Sequence, residues 1–349
     1  MIWLLGVDGG NSKTLAAVAD ETGTIRGIGR AGPSNHQGIG LPPAMEQVRL
    51  AATGALDAVG IGPADVSAVS FCLAGADLPQ DFDMLVPALE SLALANRVSL
   101  WNDSIAILRS GTDSRDAVAI GWGAGTNGVG RNAAGSVYRL PALGWISGDW
   151  GGGGELAREA IRLVARAHDG REEPTLLTDL VLRALGVTDV DEMIARLYNA
   201  SEVDFDSEDG TEWETDRSWL KVHLAPLVFQ AAARGDSVAC QLVERCGEEV
   251  ATTATALLRN LGIAHCPADI VLGGSIFKAE GTLFLDTIRR QLAAQAPRAR
   301  IVLPDVEPVV GAVFCSLDML EIEVDRRIRR RARESYASAP VRTAEEVGA

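Results

Sequence analysis

The sequence predicts an α/β protein built from two related domains, and three features of the chain lead to that prediction. Residues 2–29 have the pattern of strand, glycine-rich turn, strand, turn and strand. The same succession returns over residues 117–140, as in a duplicated architecture. Alternating strands and helices come after the first hairpin, which is typical of α/β folds. A shift of 112 residues aligns three identical pairs, Gly9 with Gly121, Thr14 with Thr126 and Gly23 with Gly135.

In the first half of the chain, short apolar runs predict strands, and longer segments with helical spacing of apolar residues predict helices. The predicted strands are Ile2–Val7, Leu15–Ala19, Ile25–Gly29, Val66–Ala74 and Arg97–Leu100. The predicted helices are Pro43–Val59, Asp81–Leu94 and a short one over Ile105–Ser110. Three strands therefore precede the first long helix.

The second half repeats the hairpin and is otherwise mostly helical. Its predicted strands are Ala117–Gly121, Gly128–Arg131, Ser136–Leu140, Ile270–Leu272 and Arg300–Leu303. Its predicted helices are Glu155–Ala167, Leu176–Leu185, Val190–Tyr198, Trp219–Ala233, Ser237–Leu261, Thr282–Ala294 and Val309–Leu320. We also expect an exposed acidic loop over Ser201–Asp216, continuation of the last helix into the arginine cluster Arg326–Arg333, and a frayed tail over Ser335–Ala349.

Composition disfavours several classes of protein. The net charge of −15 repels nucleic acid phosphates. No apolar stretch reaches the ~20 residues of a membrane-spanning helix, and the N-terminus lacks the basic region of a signal peptide. The five cysteines form no CxxC pair, so we expect reduced thiols rather than a zinc or disulfide framework. The composition thus predicts a cytoplasmic protein with no membrane or nucleic acid partner.

Two glycine-rich turns, Asp8–Thr14 and Gly123–Asn127, lie at equivalent places in the two hairpins. Glycine lets backbone N–H groups approach a phosphate closely. Each turn alone is also compatible with an ordinary hairpin. As a pair in a duplicated chain they would face each other across a cleft and could hold the phosphates of a nucleotide. Asp8, at a strand end, can hold Mg²⁺ through water.

Two further strand ends suggest ligand binding. Gly273-Gly274-Ser275 comes after a strand and can let an adenosine lie flat on the backbone, or can be a simple turn. Asp103 comes after a strand at the carboxyl edge, where open α/β sheets bind ligands. Its carboxylate can accept the proton of a hydroxyl that attacks a γ-phosphate, or it can cap the next helix.

The segment Gly144–Gly154 contains four consecutive glycines, whose high conformational entropy in the unfolded chain makes them costly. A binding loop explains them better than a hinge does. Trp145 and Asp149 offer stacking and polar contacts suited to a sugar. Asn35 can hydrogen-bond sugar hydroxyls or belong to a plain loop.

Taken together, these motifs resemble the BadF/BadG/BcrA/BcrD-type ATPases, which include N-acetylglucosamine kinases and belong to the actin/Hsp70/sugar-kinase (ASKHA) superfamily. The resemblance covers about residues 2–320. It depends on the order and spacing of short motifs, which are Asp8–Thr14, Ser34-Asn35, Asn102-Asp103-Ser104, Gly123–Asn127, Gly148-Asp149, Leu224–Val228 with Gly235-Asp236, Gly273-Gly274-Ser275 and Pro308–Ala312.

The resemblance implies two actin-like (ribonuclease H-like) lobes with a central nucleotide cleft. The first lobe would comprise residues 1–112 with a returning helix at about 311–333, and the second would comprise residues 113–310 with a helical insertion. ATP and Mg²⁺ are the implied cofactors, and a homodimer is the implied assembly.

The resemblance also implies roles for individual residues. Asp103 would be the general base and Asp8 the metal ligand. The implied cofactor-binding residues are Gly9, Gly10, Asn11, Ser12, Lys13, Thr14, Gly123, Gly125, Thr126, Gly273, Gly274 and Ser275. The implied substrate-binding residues are Asn35, Asn102, Asp103, Thr126, Trp145 and Asp149.

The implied reaction is ATP-dependent phosphorylation of an amino sugar, with N-acetylglucosamine converted to N-acetylglucosamine 6-phosphate. Glucosamine and N-acetylmuramic acid are alternative substrates, because Trp150–Gly153 replaces the Glu-Gly-Ser-Gly that is usual in the family. A second alternative is an ATPase activase of a dehydratase, for which Cys240 and Cys246 are the only close cysteine pair. A third is a non-catalytic sugar sensor.

Overall fold

Two β-sheets organise the protein, seen in a computed structural model that describes residues 1–200 and 213–347. The strands are β1 (Trp3–Gly9), β2 (Thr14–Asp20), β3 (Ile25–Ala31), β4 (Val66–Leu73), β5 (Val98–Asn102), β6 (Ala117–Trp122), β7 (Thr126–Arg131), β8 (Val137–Arg139), β9 (Asp269–Gly273), β10 (Arg300–Val302) and β11 (Val341–Thr343).

The α-helices are α1 (His36–Ile39), α2 (Leu41–Asp57), α3 (Pro79–Ser91), α4 (Asp103–Gly111), α5 (Gly152–His168), α6 (Leu177–Leu185), α7 (Val190–Ala200), α8 (Trp213–Ala233), α9 (Ser237–Asn260), α10 (Leu283–Gln295), α11 (Pro308–Met319), α12 (Arg326–Tyr336) and α13 (Ala344–Val347). Short 3₁₀ helices cover Pro63–Asp65, Gly144–Ser147 and Ser275–Lys278. Among these described helices, none is both long and apolar enough to cross a bilayer.

Apart from the additional edge strand β11, the two sheets have the same strand order and directions, which confirms the predicted duplication. The first sheet runs β11-β3-β2-β1-β4-β5 and the second runs β10-β9-β6-β7-β8. In each sheet the first three strands pair antiparallel, and the next two pair parallel beside the first strand. We call each sheet with the helices packed on it a lobe. The prediction of two related α/β lobes is thereby confirmed.

Each lobe has its own apolar core. In the first lobe, α2 and α3 cover one face of the sheet, and α11 and α12 cover the other. In the second lobe, helices α5 to α10 enclose a single large core against the sheet. The carboxyl ends of the parallel strands are left free for a site.

Helix α11 packs between the first sheet and α4, and α4 packs in turn on the second sheet. A Cβ on Gly6 of β1 would overlap the backbone of Val313 in α11, and a Cβ on Gly311 would overlap the carbonyl of Ala106 in α4. These two glycines therefore allow α11 to pack directly on β1 and α4. The packing fixes the strand that carries Asp8 relative to the helix that begins at Asp103.

The predicted elements are found with ends that differ by a few residues, and three expectations from the sequence need correction. The first concerns the acidic loop over Ser201–Asp216. Residues 213–216 belong to α8, and residues 201–212 lie outside the described part of the chain.

The second correction concerns the continuous C-terminal helix. Helix α11 ends at Met319, and α12 begins at Arg326 as a separate helix. The Asp325 carboxylate accepts hydrogen bonds from the amides of Arg327 and Ile328, both at 2.8 Å. This N-cap starts a new helix and breaks the expected run.

The third correction concerns the tail over Ser335–Ala349. Helix α12 extends to Tyr336, and β11 pairs parallel with β3 through Val341, Arg342 and Thr343. The amide of Ile28 also donates to the carbonyl of Pro340 at 2.9 Å. The segment up to Val347 is therefore ordered, because β11 fills an open edge of the first sheet.

Candidate functional site

The candidate site lies between the lobes, where side chains from both sheets hydrogen-bond to one another. Asn127 of β7 donates from Nδ2 to Asn102 Oδ1 at 2.9 Å and to Asp103 Oδ1 at 3.1 Å. Asn127 belongs to the second sheet, whereas Asn102 ends the last parallel strand of the first. A ligand held here therefore contacts both lobes at once.

Two roles were considered for Asp103, general base and helix cap, and the structure distinguishes between them because the neighbouring Asn102 caps the helix. Asn102 is the N-cap of α4, and its Oδ1 accepts from the Ser104 amide at 3.1 Å. Asp103 is the first helical residue, so it is not the N-cap of α4. Burial, and then the charge of Asp77, raises the pKa of Asp103 to about 6. The hydrogen bond from Asn127 acts in the opposite direction.

Two residues of this network have no counterpart in the sequence predictions. Asp77 Oδ1 accepts from Asn102 Nδ2 at 2.9 Å and from Arg139 Nη1 at 3.0 Å. Arg139 lies on β8 and therefore joins the second lobe to Asp77 in the first. Asp77 comes after β4 as Asp103 comes after β5, so the strand-end rule could have found it. No pattern in the sequence marks Arg139.

Hydrogen bonds stabilise the base of the first glycine-rich turn, and the other side of the turn is exposed. Gly10 donates its amide to the Lys13 carbonyl at 3.0 Å, and its own carbonyl accepts from the Ser34 amide at 3.0 Å. Thr14 is fully buried, and its hydroxyl donates to the Gly32 carbonyl at 2.8 Å. In this structure Thr14 therefore stabilises the base of the turn through Gly32, and its predicted contact with the nucleotide stays a prediction. Asn11, Ser12 and Lys13 remain on the open side.

Asp8 ends its strand close to other negative charges. Burial is the largest effect on its carboxyl group, the charge of Asp103 is the next, and Glu307 adds to both. Lys13 opposes them. Together they raise the pKa of Asp8 to about 7. The pocket therefore carries an excess of carboxylate charge that a cation would relieve.

The start of α5 packs directly onto the second glycine-rich turn. The amides of Gly153 and Gly154 donate to the carbonyls of Gly123 and Ala124 at 2.8 and 3.1 Å. Gly152 has a φ of +80°, and a Cβ there would lie 2.6 Å from Gly125 Cα. Gly152 is thus required for a close backbone contact, which argues against the hinge interpretation. Thr126 Oγ1 is buried beside this turn without a hydrogen-bond partner in the described residues.

The predicted sugar-contacting residues occupy different environments. The Asp149 carboxylate accepts from the Ser147 hydroxyl at 2.6 Å and from the Gly144 amide at 3.0 Å, so it stabilises its own loop. Trp145 is 74% exposed, so the structure does not pack it against the network around Asp103. Asn35 caps α1 and donates to Asn11 Oδ1 at 2.7 Å, which joins it to the first turn.

The loop Gly273-Gly274-Ser275, the third glycine-rich loop, contacts the end of β6 beside the second turn through its backbone. Gly274 has a φ of +126°, and a Cβ there would overlap the Trp122 carbonyl. Beyond it, Lys278 Nζ lies 3.9 Å from one Glu307 oxygen, and Lys13 Nζ lies 4.0 Å from the other. Glu307 therefore bridges lysines of the two lobes. The sequence contains only three lysines, a scarcity that could have drawn attention to Lys278.

The cysteine pair considered for an iron–sulfur cluster has a structural role instead. Cys246 is fully buried in the core of the second lobe, and burial raises the pKa of its thiol well above the ordinary value. Cys240 is partly exposed on the same helix. A buried, protonated thiol is a poor cluster ligand.

Comparison with known proteins identifies relatives that match over most of the chain. A model of the BadF/BadG/BcrA/BcrD ATPase family matches residues 5–316, which confirms the resemblance seen in the motifs. The N-acetylmuramic acid/N-acetylglucosamine kinase of Clostridium acetobutylicum is 23% identical over 314 residues, covering 90% of this chain and 98% of that protein. The N-acetyl-D-glucosamine kinase of Dictyostelium discoideum is 24% identical, covering 90% and 97%.

Solved structures show the same fold. A protein from Chromobacterium violaceum described as an N-acetylglucosamine kinase has a TM-score of 0.65 and 25% identity, over 90% of this chain and 98% of the other. A ROK family glucokinase from Streptomyces griseus, in complex with glucose and AMPPNP, has a TM-score of 0.56 at 20% identity, over 90% and 99%. The second likeness indicates the shared fold alone.

Proposed function

The chain belongs to the BadF/BadG/BcrA/BcrD ATPase family, and we propose that it is an ATP-dependent kinase that phosphorylates an amino sugar. N-acetylglucosamine is the first candidate substrate, because both curated relatives carry it in their names. N-acetylmuramic acid, named for one of them, and glucosamine are the alternatives. Phosphorylation at the 6-hydroxyl, a cytoplasmic location and a homodimer are the finer parts of this proposal, and they depend on the resemblance to the family.

The observation that carries the proposal is the environment of Asp103. Asn102 rather than Asp103 is the N-cap of α4, and the Asp103 carboxylate lies between the lobes and accepts a hydrogen bond from Asn127. With its pKa raised to about 6, it is ionised at neutral pH and basic enough to take a proton from a sugar hydroxyl as the γ-phosphoryl group is transferred. Asn127 orients the carboxylate for this step.

The two glycine-rich turns and the third loop are proposed to hold ATP. The exposed residues Asn11 and Ser12 of the first turn and the open space beside Gly123 and Gly125 in the second would receive the phosphates, and the loop at Gly274 would contact adenosine. Lys13 and Lys278 would exchange Glu307 for phosphate oxygens. The unpaired hydroxyl of Thr126 is available to a phosphate or to the sugar.

The residues around Asp8 fit a magnesium ion. Mg²⁺ in phosphoryl-transfer sites binds through one or two carboxylates together with waters and substrate phosphates. Asp8 supplies one such carboxylate, whose pKa is raised first by burial and then by the charge of Asp103. When bound there, the metal would neutralise charge on the phosphates during transfer. Among the described residues no cluster of three metal-binding side chains exists, so substrate oxygens would complete the coordination.

The proposal is tested by ATP turnover with Mg²⁺ on glucose, glucosamine, N-acetylglucosamine, N-acetylmannosamine and N-acetylmuramic acid. We expect turnover on one amino sugar, with the sugar phosphate identified by mass spectrometry. Asp103→Asn should lower kcat by about 10²–10⁴-fold while sugar binding, measured by calorimetry, persists. Asp83→Asn, the same change at an exposed helical position, is the control. Failure of all five sugars to stimulate turnover, or an active Asp103→Asn, would overturn the proposal.

A further inference from the structure

A second concave surface lies on the molecule, away from the network around Asp103. This groove of about 600 Å³ is formed where the end of α4, the start of β9 and the start of α12 meet. Its charged lining residues are Asp113, Asp269, Arg298, Arg300, Arg326 and Arg329. The arginine cluster of α12, which has no part in the proposed kinase site, therefore contributes one wall.

Two of the four arginines are paired with the two carboxylates of the groove. Arg300 makes two hydrogen bonds to the Asp269 carboxylate, at 3.0 and 2.9 Å. Arg329 pairs with Asp113, donates to the carbonyls of Arg109 and Ser110, and lies over the Phe314 ring. These contacts also satisfy carbonyls in the last turn of α4 and both carboxylates in the groove.

The other two arginines retain their charge. Arg298 is exposed, and its one hydrogen bond in the described residues goes to the His265 carbonyl at 3.3 Å. Arg326 is exposed at the start of α12. Neither has a carboxylate within 4.0 Å among the described side chains, so the groove keeps two positive charges. This surplus stands out on a chain with a net charge of −15.

The groove also spans the two lobes at their connection. Arg326 belongs to α12, which packs on the first sheet, while Arg298 precedes β10 of the second sheet. Thr112–Ser114, which also line the groove, belong to the chain segment that crosses from one lobe to the other. An anion that binds both arginines would therefore join the lobes at the end of α4 that is remote from Asp103.

We propose that this groove binds a small dianionic phosphate ester and thereby links its concentration to the relative position of the lobes. Guanidinium groups bind phosphate oxygens in bidentate fashion, and two unpaired guanidinium groups match a charge of −2. The lining elements lead directly to the site, because α4 begins at Asp103 and β9 ends at Gly273. A ligand in the groove would therefore contact two elements of the fold, one that leads to Asp103 and one that leads to Gly273.

The test is calorimetric titration of the full chain with inorganic phosphate and, separately, with N-acetylglucosamine 6-phosphate at constant ionic strength. Saturating Mg²⁺ and AMPPNP are present to occupy the nucleotide site. The variant Arg298→Gln/Arg326→Gln removes both unpaired charges. The variant Arg330→Gln/Arg331→Gln makes the same change in net charge at positions of α12 outside the groove.

We expect both probes to bind the wild type and the control, and to bind the groove variant at least about tenfold more weakly. Absence of binding to the wild type at millimolar concentration, unchanged binding to the groove variant, or equal weakening in both variants would each overturn the proposal. The sugar phosphate probe and the addition of Mg²⁺ and AMPPNP rest on the proposed function, whereas the titration with inorganic phosphate can be repeated without them. A chain inactive on all sugars that still binds inorganic phosphate through Arg298 and Arg326 would refute the kinase and support the groove.

Discussion

Two carboxyl groups at the site, Asp8 and Asp103, have raised pKa values for related reasons. Each is desolvated, and each is close to another carboxylate. The charge of Asp103 also contributes to the raised pKa of Asp8. Below the raised pKa of about 6, Asp103 is protonated and cannot act as a base. The activity must therefore fall as the pH falls through this range.

The pH profile gives a prediction at the residue scale. At saturating Mg²⁺ we expect kcat/KM to fall below about pH 6, with one proton taken up by Asp103. At limiting Mg²⁺ the fall should begin at higher pH, because Asp8, with a pKa of about 7, must lose its proton to bind the metal. Asn127→Ala removes the hydrogen bond that favours ionised Asp103 and should raise the pKa of Asp103. The fall in kcat/KM of this variant should therefore move to higher pH.

The control for this measurement is Asn96→Ala, at an exposed position between α3 and β5. It should reproduce the wild-type profile at both Mg²⁺ concentrations. A profile that is flat between pH 5 and about 8, or one that Asn127→Ala leaves in place, would contradict the role of Asp103.

Site residues that lie beside a strand end could be predicted from the sequence, whereas those that meet across the cleft could not. Asp8 and Asp103 each come after an apolar run and precede a turn or helix, and this local pattern marks them. Arg139 has no such pattern, because it reaches Asp77 only after β8 is placed across the cleft. The same holds for the bridge from Glu307 to two lysines, which joins residues far apart in the chain.

At the scale of elements, the junction between the second turn and α5 depends on the absence of side chains. Gly152 has a positive φ and also lies against Gly125. Gly152→Ala should therefore move the second turn. We expect it to lower the free energy of unfolding by about 2–4 kcal/mol and to raise the KM for ATP. Urea unfolding and steady-state kinetics measure the two effects.

A matched glycine separates backbone strain from the close contact. Gly135 has a φ of +86°, with open space where a Cβ would lie. Gly135→Ala should cost only the strain of the left-handed conformation, about 1–2 kcal/mol, and should leave the KM for ATP unchanged. Equal effects of both substitutions on KM would show that the contact with Gly125 does not position the turn.

The features that were not predicted from the sequence are a short strand and a helix start that depends on one capping residue. β11 has only three residues and pairs with β3. So short a segment carries too few side chains for an alternating pattern to be recognised. The break between α11 and α12 depends on a single aspartate, Asp325, in a segment otherwise rich in helix-forming arginines. Long amphipathic helices such as α9 were predictable because their periodicity extends over many turns.

At the scale of the whole molecule, the duplication could be predicted, while the contacts between the lobes could not. The recurrence of strand, turn and strand implied two similar sheets, and both have the same order. The relative position of the lobes depends on α11, on Gly6 and Gly311, and on side chains that meet across the cleft. Such contacts leave no periodic trace in the sequence. The contact of the Glu307 carboxylate with one lysine from each lobe is one of them, and its effect on ATP binding can be measured.

Glu307 holds one lysine from each lobe, at separations of 4.0 and 3.9 Å. Both pairs are partly exposed, so each is weak and sensitive to salt. ATP phosphates would compete with this carboxylate for Lys13 and Lys278. We therefore expect Glu307→Gln to lower the KM for ATP by about 2–5-fold, with little change in kcat. The effect should diminish at high ionic strength.

The matched control is Glu280→Gln, which removes the same charge at an exposed position two residues beyond Lys278. Glu307 also raises the pKa of Asp8, so Glu307→Gln should shift the Mg²⁺-dependent part of the pH profile to lower pH. Glu280→Gln should change neither quantity. A higher KM for ATP in Glu307→Gln would instead mean that Glu307 orients the two lysines for the nucleotide. In that case the bridge would be part of the binding site rather than a contact that ATP must displace.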